Sequence, residues 1–333
     1  MNRARIGVIG LGRFGVQHAR VLAQLPHVEL TAVCSRSVER VGSVAVEYNV
    51  PGRYTDYRDL IRDPDVDAID IVTEVDRHTE IALAALRLRK HVFSEILLTD
   101  SLDENERLIE EAEESGAVFM VGFLERFDVR RANVKQKIDA GELGELVSIY
   151  GRRNIWRGIL DAPRFKPYPL VIQPGIHTID QLLWMAGEEV REVYARTRSM
   201  AEPGRPDSWW AMLTFESGLI GVIEQSFFMP DRRLYWSDAG LEVVGTDGTA
   251  HISEPNDAAW IWTGEATSSP DLYLSSEVHG RIVGALEQEL THFADCVIGR
   301  RNPAHGTLRE ARNALRVGLA IVESARKEQA VHL

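Results

Sequence analysis

Residues 10 to 15 read Gly10-Leu11-Gly12-Arg13-Phe14-Gly15, three glycines at a spacing suited to holding a pyrophosphate. The motif directly follows a strand-like run at 5–9 and opens an amphipathic stretch, which is the setting it needs to carry meaning. Gly10 permits the tight turn, Gly12 leaves room for phosphate oxygens at a helix N-terminus, and Gly15 lets that helix pack closely on its sheet. The chemistry implied is that of a dinucleotide cofactor, with Arg13 and Phe14 in the same turn. A plain glycine-rich turn is the alternative, and the strand–turn–helix context weighs against it.

At the end of the second strand-like run, a site for NAD would place Asp or Glu against the ribose 2'-hydroxyl. The chain instead reads Cys34-Ser35-Arg36-Ser37, with Arg40 close behind. Ser35 beside the guanidinium groups of Arg36 and Arg40 suits a 2'-phosphate, which Arg binds bidentately and a carboxylate would repel. The pattern favours NADP over NAD. In the alternative, Arg36 stacks on adenine and Arg40 is a solvated helix residue.

The elements that must position these groups can be read from periodicity. Val- and Ile-rich runs at 5–9, 28–34, 68–72, 91–93 and 118–121 alternate with helical patterns at 14–25, 38–48, 77–88 and 102–115. Ser101 with Glu104 three residues on marks the start of the last of these helices. Such alternation predicts a doubly wound parallel sheet, a Rossmann domain over residues 1–122. Beyond residue 122 a helix at 129–140 gives way to strands at 146–151, 192–197, 209–215, 219–228 and 241–244, joined in places by turns such as Glu216-Ser217-Gly218. A helix at 177–185 interrupts them, and helices at 282–298 and 308–326 close the chain. Residues 123–333 are thus expected to form an α+β domain with a large, mainly antiparallel open sheet, and the chain as a whole is α/β. Residues 254–277 read as irregular.

The 333 residues, 44% apolar and 26% charged, suffice for two cores, and the formal charge of −12 disfavours nucleic acid and anionic membranes as partners. A small molecule is expected instead. Cys34 and Cys296 lie far apart with no thiol or imidazole at ligand spacing, so no disulfide and no metal site is expected. The N-terminal residues lack a signal peptide's apolar stretch, and a cytoplasmic location follows.

By order and spacing these residues resemble the Gfo/Idh/MocA family. The resemblance rests on Gly7 to Gly12 with Gly15 and His18, on Asp65-Val66-Asp67-Ala68, and on Arg89-Lys90-His91-Val92-Phe93-Ser94-Glu95. It continues through Gly122-Phe123 with Arg126-Phe127, the turn Gly141 to Glu145, Gly175-Ile176-His177-Thr178-Ile179-Asp180 with Trp184, Gly245 to Thr249, and Glu323-Ser324-Ala325. It implies hydride transfer between a nicotinamide and a secondary hydroxyl or ketone of a sugar or cyclic polyol. It also implies a site built from a Glu-Lys-Pro motif after the fourth strand and an Asp-x-x-x-His motif opening a helix of the second domain.

Here the first motif is Glu95-Ile96-Leu97 and the second Gln173-Pro174-Gly175-Ile176-His177, so of the Lys, Asp and His only the His is kept. Thr73-Glu74 stands where the family has Thr-Pro. Without proline at 97, a cis bond would cost about 2.5 to 4 kcal/mol, and a trans turn is expected. Loss of a cation at Ile96 and of an anion at Gln173 leaves the formal charge unchanged, as a coupled replacement would.

His177 is the acid–base candidate, since imidazole titrates near neutrality; alternatively it is a helix-start His satisfied by backbone. Asp180, one turn on, either orients His177 or is a first-turn acid favoured by the helix dipole. Lys166, seven residues before Gln173 in a Pro-punctuated loop, is the preferred substitute for the missing Lys, with Arg152, Arg153, Arg157 and Tyr168 nearby; each is otherwise a solvated surface group. The resemblance places Glu95 near the nicotinamide ribose, with Thr73 and His78 along the cofactor edge, His78 either capping a helix or taking part in chemistry. Ile96, Arg126, Trp156, Gln173 and His177 are the candidate substrate contacts.

The tryptophans Trp156, Trp209, Trp210, Trp236, Trp260 and Trp262 could wall a sugar face or fill core and subunit interfaces. A sheet face carrying Trp209, Met212 and Phe227 would need covering, which predicts a homodimer or homotetramer through that sheet. Two function classes follow: an NAD(P)-dependent oxidoreductase, or a dinucleotide-binding pseudoenzyme acting as sensor or partner subunit.

Overall fold

The computed structural model describes residues 3–230, 232, 237–254, 261–263, 267–268 and 272–333. They form two compact units, residues 1–128 with 272–312 and residues 129–271 with 313–333. The chain therefore returns to the first unit after building the second sheet, a return that a single division after Gly122 does not include.

In the first unit, β1 (Ala4–Ile9), β2 (Val28–Cys34), β3 (Gly52–Tyr54), β4 (Ala68–Ile71), β5 (His91–Glu95) and β6 (Phe119–Gly122) form one parallel sheet in the order β3-β2-β1-β4-β5-β6. This is the doubly wound order whose ligand crevice lies outside the carboxyl ends of the strands, where the order reverses beside β1. The strands β4 and β5 are buried almost throughout, the polar Asp70, Ser94 and Glu95 included. The connecting helices are α1 (Arg13–Gln24), α2 (Val38–Glu47), α3 (Tyr57–Arg62), α4 (Val75–Arg87) and α5 (Leu102–Ser115). α1 buries Gly15, His18, Ala19, Val21 and Leu22, the one-face spacing of an amphipathic helix. Ser37 caps α2 by accepting from the Arg40 N–H, and Ser101 caps α5 by accepting from Glu104 N–H at 3.3 Å. β3 and α3 are short, and periodicity did not signal them.

The second unit contains α6 (Val129–Asp139), β7 (Leu146–Trp156), α7 (Ile176–Ala186), β8 (Val190–Arg198), β9 (Ser208–Phe215), β10 (Ile220–Met229), β11 (Ser237–Gly245) and β12 (Thr249–Glu254). The short pair β13 (Ile261–Trp262) and β14 (Thr267–Ser268) also belongs to it, whereas β15 (Ser276–Val278), β16 (Arg281–Val283) and α8 (Ala285–Gly299) lie in the first unit. α9 (Leu308–Lys327) and β17 (Val331–His332) end the chain, and the second sheet runs β12-β11-β7-β10-β9-β8-β17. All its pairings are antiparallel except β7 with β10, so the sheet is mixed and mainly antiparallel. Two short strand pairs thus fall within or beside the segment 254–277 expected to be irregular; much of the remainder lies outside the described residues.

α7 covers one face of this sheet. Its approach is close: a Cβ on Gly151 of β7 would meet Leu182 Cδ1 at 2.6 Å and Thr178 Cγ2 at 2.8 Å. The covered face is built from alternate residues, Ile149, Gly151, Arg153 and Ile155 on β7, Trp209, Ala211, Leu213 and Phe215 on β9, and Ile223, Gln225 and Phe227 on β10. Trp209 and Phe227 therefore belong to the core, contrary to the expectation that they share an open face with Met212. The period of two places Trp210 and Met212, 49% and 46% exposed, on the other side, and Phe228 is also partly open. Trp236 and Trp260, and the side chain of Trp262, lie outside the described residues.

Candidate active site

The glycine turn has the geometry its sequence implies. Gly10 has φ 102°, and a Cβ there would lie 2.2 Å from the Val72 carbonyl oxygen; a Cβ on Gly15 would lie 1.8 Å from the Gly10 carbonyl oxygen. Gly12, the residue preceding α1, differs: a Cβ there would meet nothing within 4 Å, and no side chain caps the helix. An open position in front of uncapped N–H groups is what a dinucleotide pyrophosphate requires. Exposed Arg13 and half-buried Phe14 follow directly. The residues present fit the cofactor.

Ser35 follows β2 and accepts from the Ser37 N–H at 3.3 Å, while Arg40 is exposed on α2. Arg36 is exposed and lies 3.4 Å from Glu74 Oε1, so a carboxylate already faces the group assigned to a 2'-phosphate. Thr73 lies beside Glu74 at the end of β4. His78 does not cap α4: its buried ring lies between two carbonyls, Nδ1 at 2.9 Å from Leu97 O and Nε2 at 3.0 Å from Thr73 O. Burial pushes its pKa down and the two carbonyls oppose the shift; a ring with a single N–H donates to one of them. His78 thereby packs between the turn after β5 and the turn after β4.

That turn differs from expectation in one respect: the Ile96–Leu97 bond is cis. Glu95 ends β5, almost buried, and its Oε2 accepts from the Ile96 N–H at 3.3 Å. Gly122 at the end of β6 makes room for it, since a Cβ there would lie 2.8 Å from Glu95 Oε1. Arg126 is buried, ion-paired with Glu310, and its guanidinium lies 5.3 Å from the Phe123 ring centroid. Burial alone would raise the Glu310 pKa, but Arg126 and the Thr307 N–H hold it below the usual carboxylate range. Arg126 is thus engaged inside the first unit.

In the second unit, the second motif begins with half-buried Gln173, followed by a cis bond to Pro174. His177 lies in the first turn of α7, half-buried, and its pKa falls well below 6.5, chiefly from burial and then from Arg153 and Arg131. The ring is therefore an unprotonated imidazole at neutral pH and can accept a proton. Arg153 is 3% exposed on the α7-covered face of β7, not a solvated group, and Arg131 on α6 pairs with Glu254 at 3.0 Å. Asp180 is buried on α7 one turn after His177. Lys166 is exposed at the end of the turn Pro163–Phe165, and no contact described joins it to His177. Trp156, partly exposed, ends β7. Residue pattern did not single out Arg131 or Gln225, whose Nε2 donates to the Gly175 carbonyl; their relevance arises from the packing of α6 and β10. Among the described residues no cluster of His, Cys, Asp and Glu could hold a metal, both cysteines are free, and no helix is long and apolar enough to cross a membrane.

Comparison with known proteins agrees with this arrangement. Residues 4–123 match an oxidoreductase family with an NAD-binding Rossmann fold, and residues 132–251 match the GFO/IDH/MocA C-terminal domain. The scyllo-inositol 2-dehydrogenase (NAD(+)) of Bacillus subtilis is 30% identical, over 100% of this chain and 97% of the relative. A myo-inositol 2-dehydrogenase of Thermotoga maritima is 28% identical, over 99% and 98% of the two chains. Among solved structures, a probable dehydrogenase from Thermotoga maritima superposes with a TM-score of 0.84 at 26% identity, covering 98% of each chain.

Proposed function

The chain belongs to the Gfo/Idh/MocA oxidoreductase family, and from that premise we propose that it is a dehydrogenase of a secondary hydroxyl on a cyclitol or sugar. The observation that carries the reading is the open Gly12 position before the uncapped N-terminus of α1, which fits a dinucleotide pyrophosphate; His177 in the first turn of α7 is the base we assign. When bound, the nicotinamide supplies the hydride acceptor. The carbinol C–H bond breaks with its electron pair leaving as hydride, and His177 takes the hydroxyl proton; the ketone reduction runs the same steps backwards. Arg153 and Arg131 favour the neutral ring, which suits a base that must start unprotonated. Gln173 and Trp156 offer an amide and a ring to a polyol from the same unit, and Ile96 presents an apolar side chain where the family has its lysine. The inositol dehydrogenase names of the relatives support a cyclitol and give no support to the sensor alternative.

The missing acid after β2 supports NADP, which Arg36 would grip by leaving Glu74. We also infer a homodimer or homotetramer through the sheet face bearing Trp210, Met212 and Phe228, and, from the two isolated thiols, a cytoplasmic location. Sedimentation tests the assembly. For the activity, the purified chain is assayed on a panel of inositols and sugars with NAD and with NADP, following absorbance of the reduced nicotinamide. Turnover on at least one cyclitol is expected; none on any member, in either direction, contradicts the reading.

A further inference from the structure

Beneath the carboxyl edge of the first sheet lies a group of ionisable side chains whose depth the cofactor cradle does not explain. His18 comes from α1, Asp70 from β4, Glu95 from β5 and Glu289 from α8, all within the first unit. His18, Asp70 and Glu289 are fully buried and Glu95 is 8% exposed. His18 Nδ1 is hydrogen-bonded to Asp70 Oδ2 at 3.0 Å, and its Nε2 stands at ion-pair distance, 3.3 Å, from Glu95 Oε1 without hydrogen-bond geometry. Aromatic rings close the space, with Phe14 and Phe93 centroids 4.6 and 5.8 Å from the imidazole and Phe293 packed on Phe93. Neither oxygen of Glu289 has a hydrogen-bond partner in the structure.

Buried charges are tolerated only when paired, because desolvation of each ion costs several kcal/mol. An imidazolium faces both carboxylates and offsets one of the two negative charges; a neutral imidazole would offset neither. Burial alone would lower the His18 pKa, but Asp70 and Glu95 outweigh it and raise it to about 10. For Glu95 the balance runs the other way: burial raises its pKa and His18 opposes the rise. Glu289, which faces Glu95 and Asp70 with only His18 to offset them, is pushed well above the usual carboxylate range and stays protonated.

Glu95 alone of the four reaches the carboxyl edge, where an open doubly wound sheet binds its ligand. We propose that His18 is a positioning residue for the dinucleotide: suspended between Asp70 and Glu95, it fixes the Glu95 carboxylate and balances its charge. The inference rests on the proposed cofactor reading, in which Glu95 accepts from a hydroxyl of the nicotinamide ribose. Protonation would turn one of the two acceptor oxygens of Glu95 into a donor, so removal of the imidazolium makes cofactor affinity depend on pH in the neutral range.

The test titrates NADH and NADPH into the whole chain between about pH 5.5 and 9.5 for wild type, H18Q, E95Q and H18Q/E95Q. An opposite charge at this distance moves a carboxylate by about 1 to 3 pH units, so the affinity of H18Q is expected to fall at low pH and recover with a midpoint raised by that amount. E95Q is expected to bind more weakly with a flat profile, and the double variant to be as flat. H18N, which also removes the imidazolium, tests the same shift if H18Q does not fold. A purely structural His18 would weaken binding equally at every pH, and that parallel profile overturns the proposal. A wild type that binds neither dinucleotide contradicts the cofactor reading instead. The ligand-free arm then decides: a double-mutant cycle on melting temperature must show His18 and Glu95 non-additive near neutral pH, and additivity overturns the proposal.

Discussion

Gln225 on β10 donates from Nε2 to the Gly175 carbonyl at 2.8 Å, two residues before His177. Gly175 has φ −69°, so crowding rather than backbone angle demands a glycine: a Cβ would lie 2.2 Å from Gln225 Oε1 and 2.3 Å from the Val171 carbonyl oxygen. The start of α7 is thereby pressed onto the sheet, and His177 with it. Gly175→Ala is expected to cost about 1 to 3 kcal/mol of stability through overpacking and to lower kcat while leaving dinucleotide affinity unchanged. Melting curves and calorimetry separate the two, and an unaltered kcat would count against this seating of His177.

His177→Asn removes the base and keeps a polar side chain. Turnover should fall about 100- to 10,000-fold with little change in cofactor affinity. Because the folded pKa lies below 6.5, wild-type activity should persist into more acidic solution than an ordinary histidine allows. The same shift has a stability sign: the unfolded chain binds the proton that the folded chain refuses, so stability is lost as pH falls below about 6.5. Melting temperature against pH should show a shallower acid decline in the variant.

The replacements at Ile96 and Gln173 are expected to be compatible with catalysis. I96K/Q173D restores the family pair; wild type should already turn over, and the double variant should change kcat by less than loss of His177 does. Steady-state assays of both decide it, and activity confined to the double variant would show that the native chain is no ordinary dehydrogenase.

Glu289→Gln replaces a buried acid that already carries its proton. Since its folded pKa is raised, the folded chain holds a proton that the unfolded chain releases above about 4.5, and wild-type stability falls by about 1.4 kcal/mol per pH unit from there towards the folded pKa. His18 adds to the alkaline loss: its contribution is complete below 6.5 and disappears as pH rises through about 10. The variant should match wild type in acid and exceed it at alkaline pH in thermal melts. A variant less stable than wild type at pH 9 would contradict a protonated Glu289.

What the sequence conveyed best was local. Gly10, Gly12 and Gly15 announce their turn because each answers a steric demand within a few residues, and Ser101 with Glu104 announces α5 the same way. Face assignment in the second sheet was less legible: Trp209 and Met212 lie an odd number of residues apart and so occupy opposite faces of β9, and Phe227 lies on the core face of β10. Arg153 read as a surface cation because its burial is set by α7, more than twenty residues away in sequence. The His18 cluster draws on four elements from residue 18 to residue 289, and no window of sequence contains it. The cis Ile96–Leu97 bond had no signal, since the proline that announces such bonds is absent.

The account stands on a pyridine dinucleotide seated at the open Gly12 position. Isothermal titration of the purified chain with NADH and with NADPH examines this most directly. Saturable binding of at least one, weakened by filling the space with Gly12→Glu, is the predicted result; heats no larger than dilution for both would contradict it.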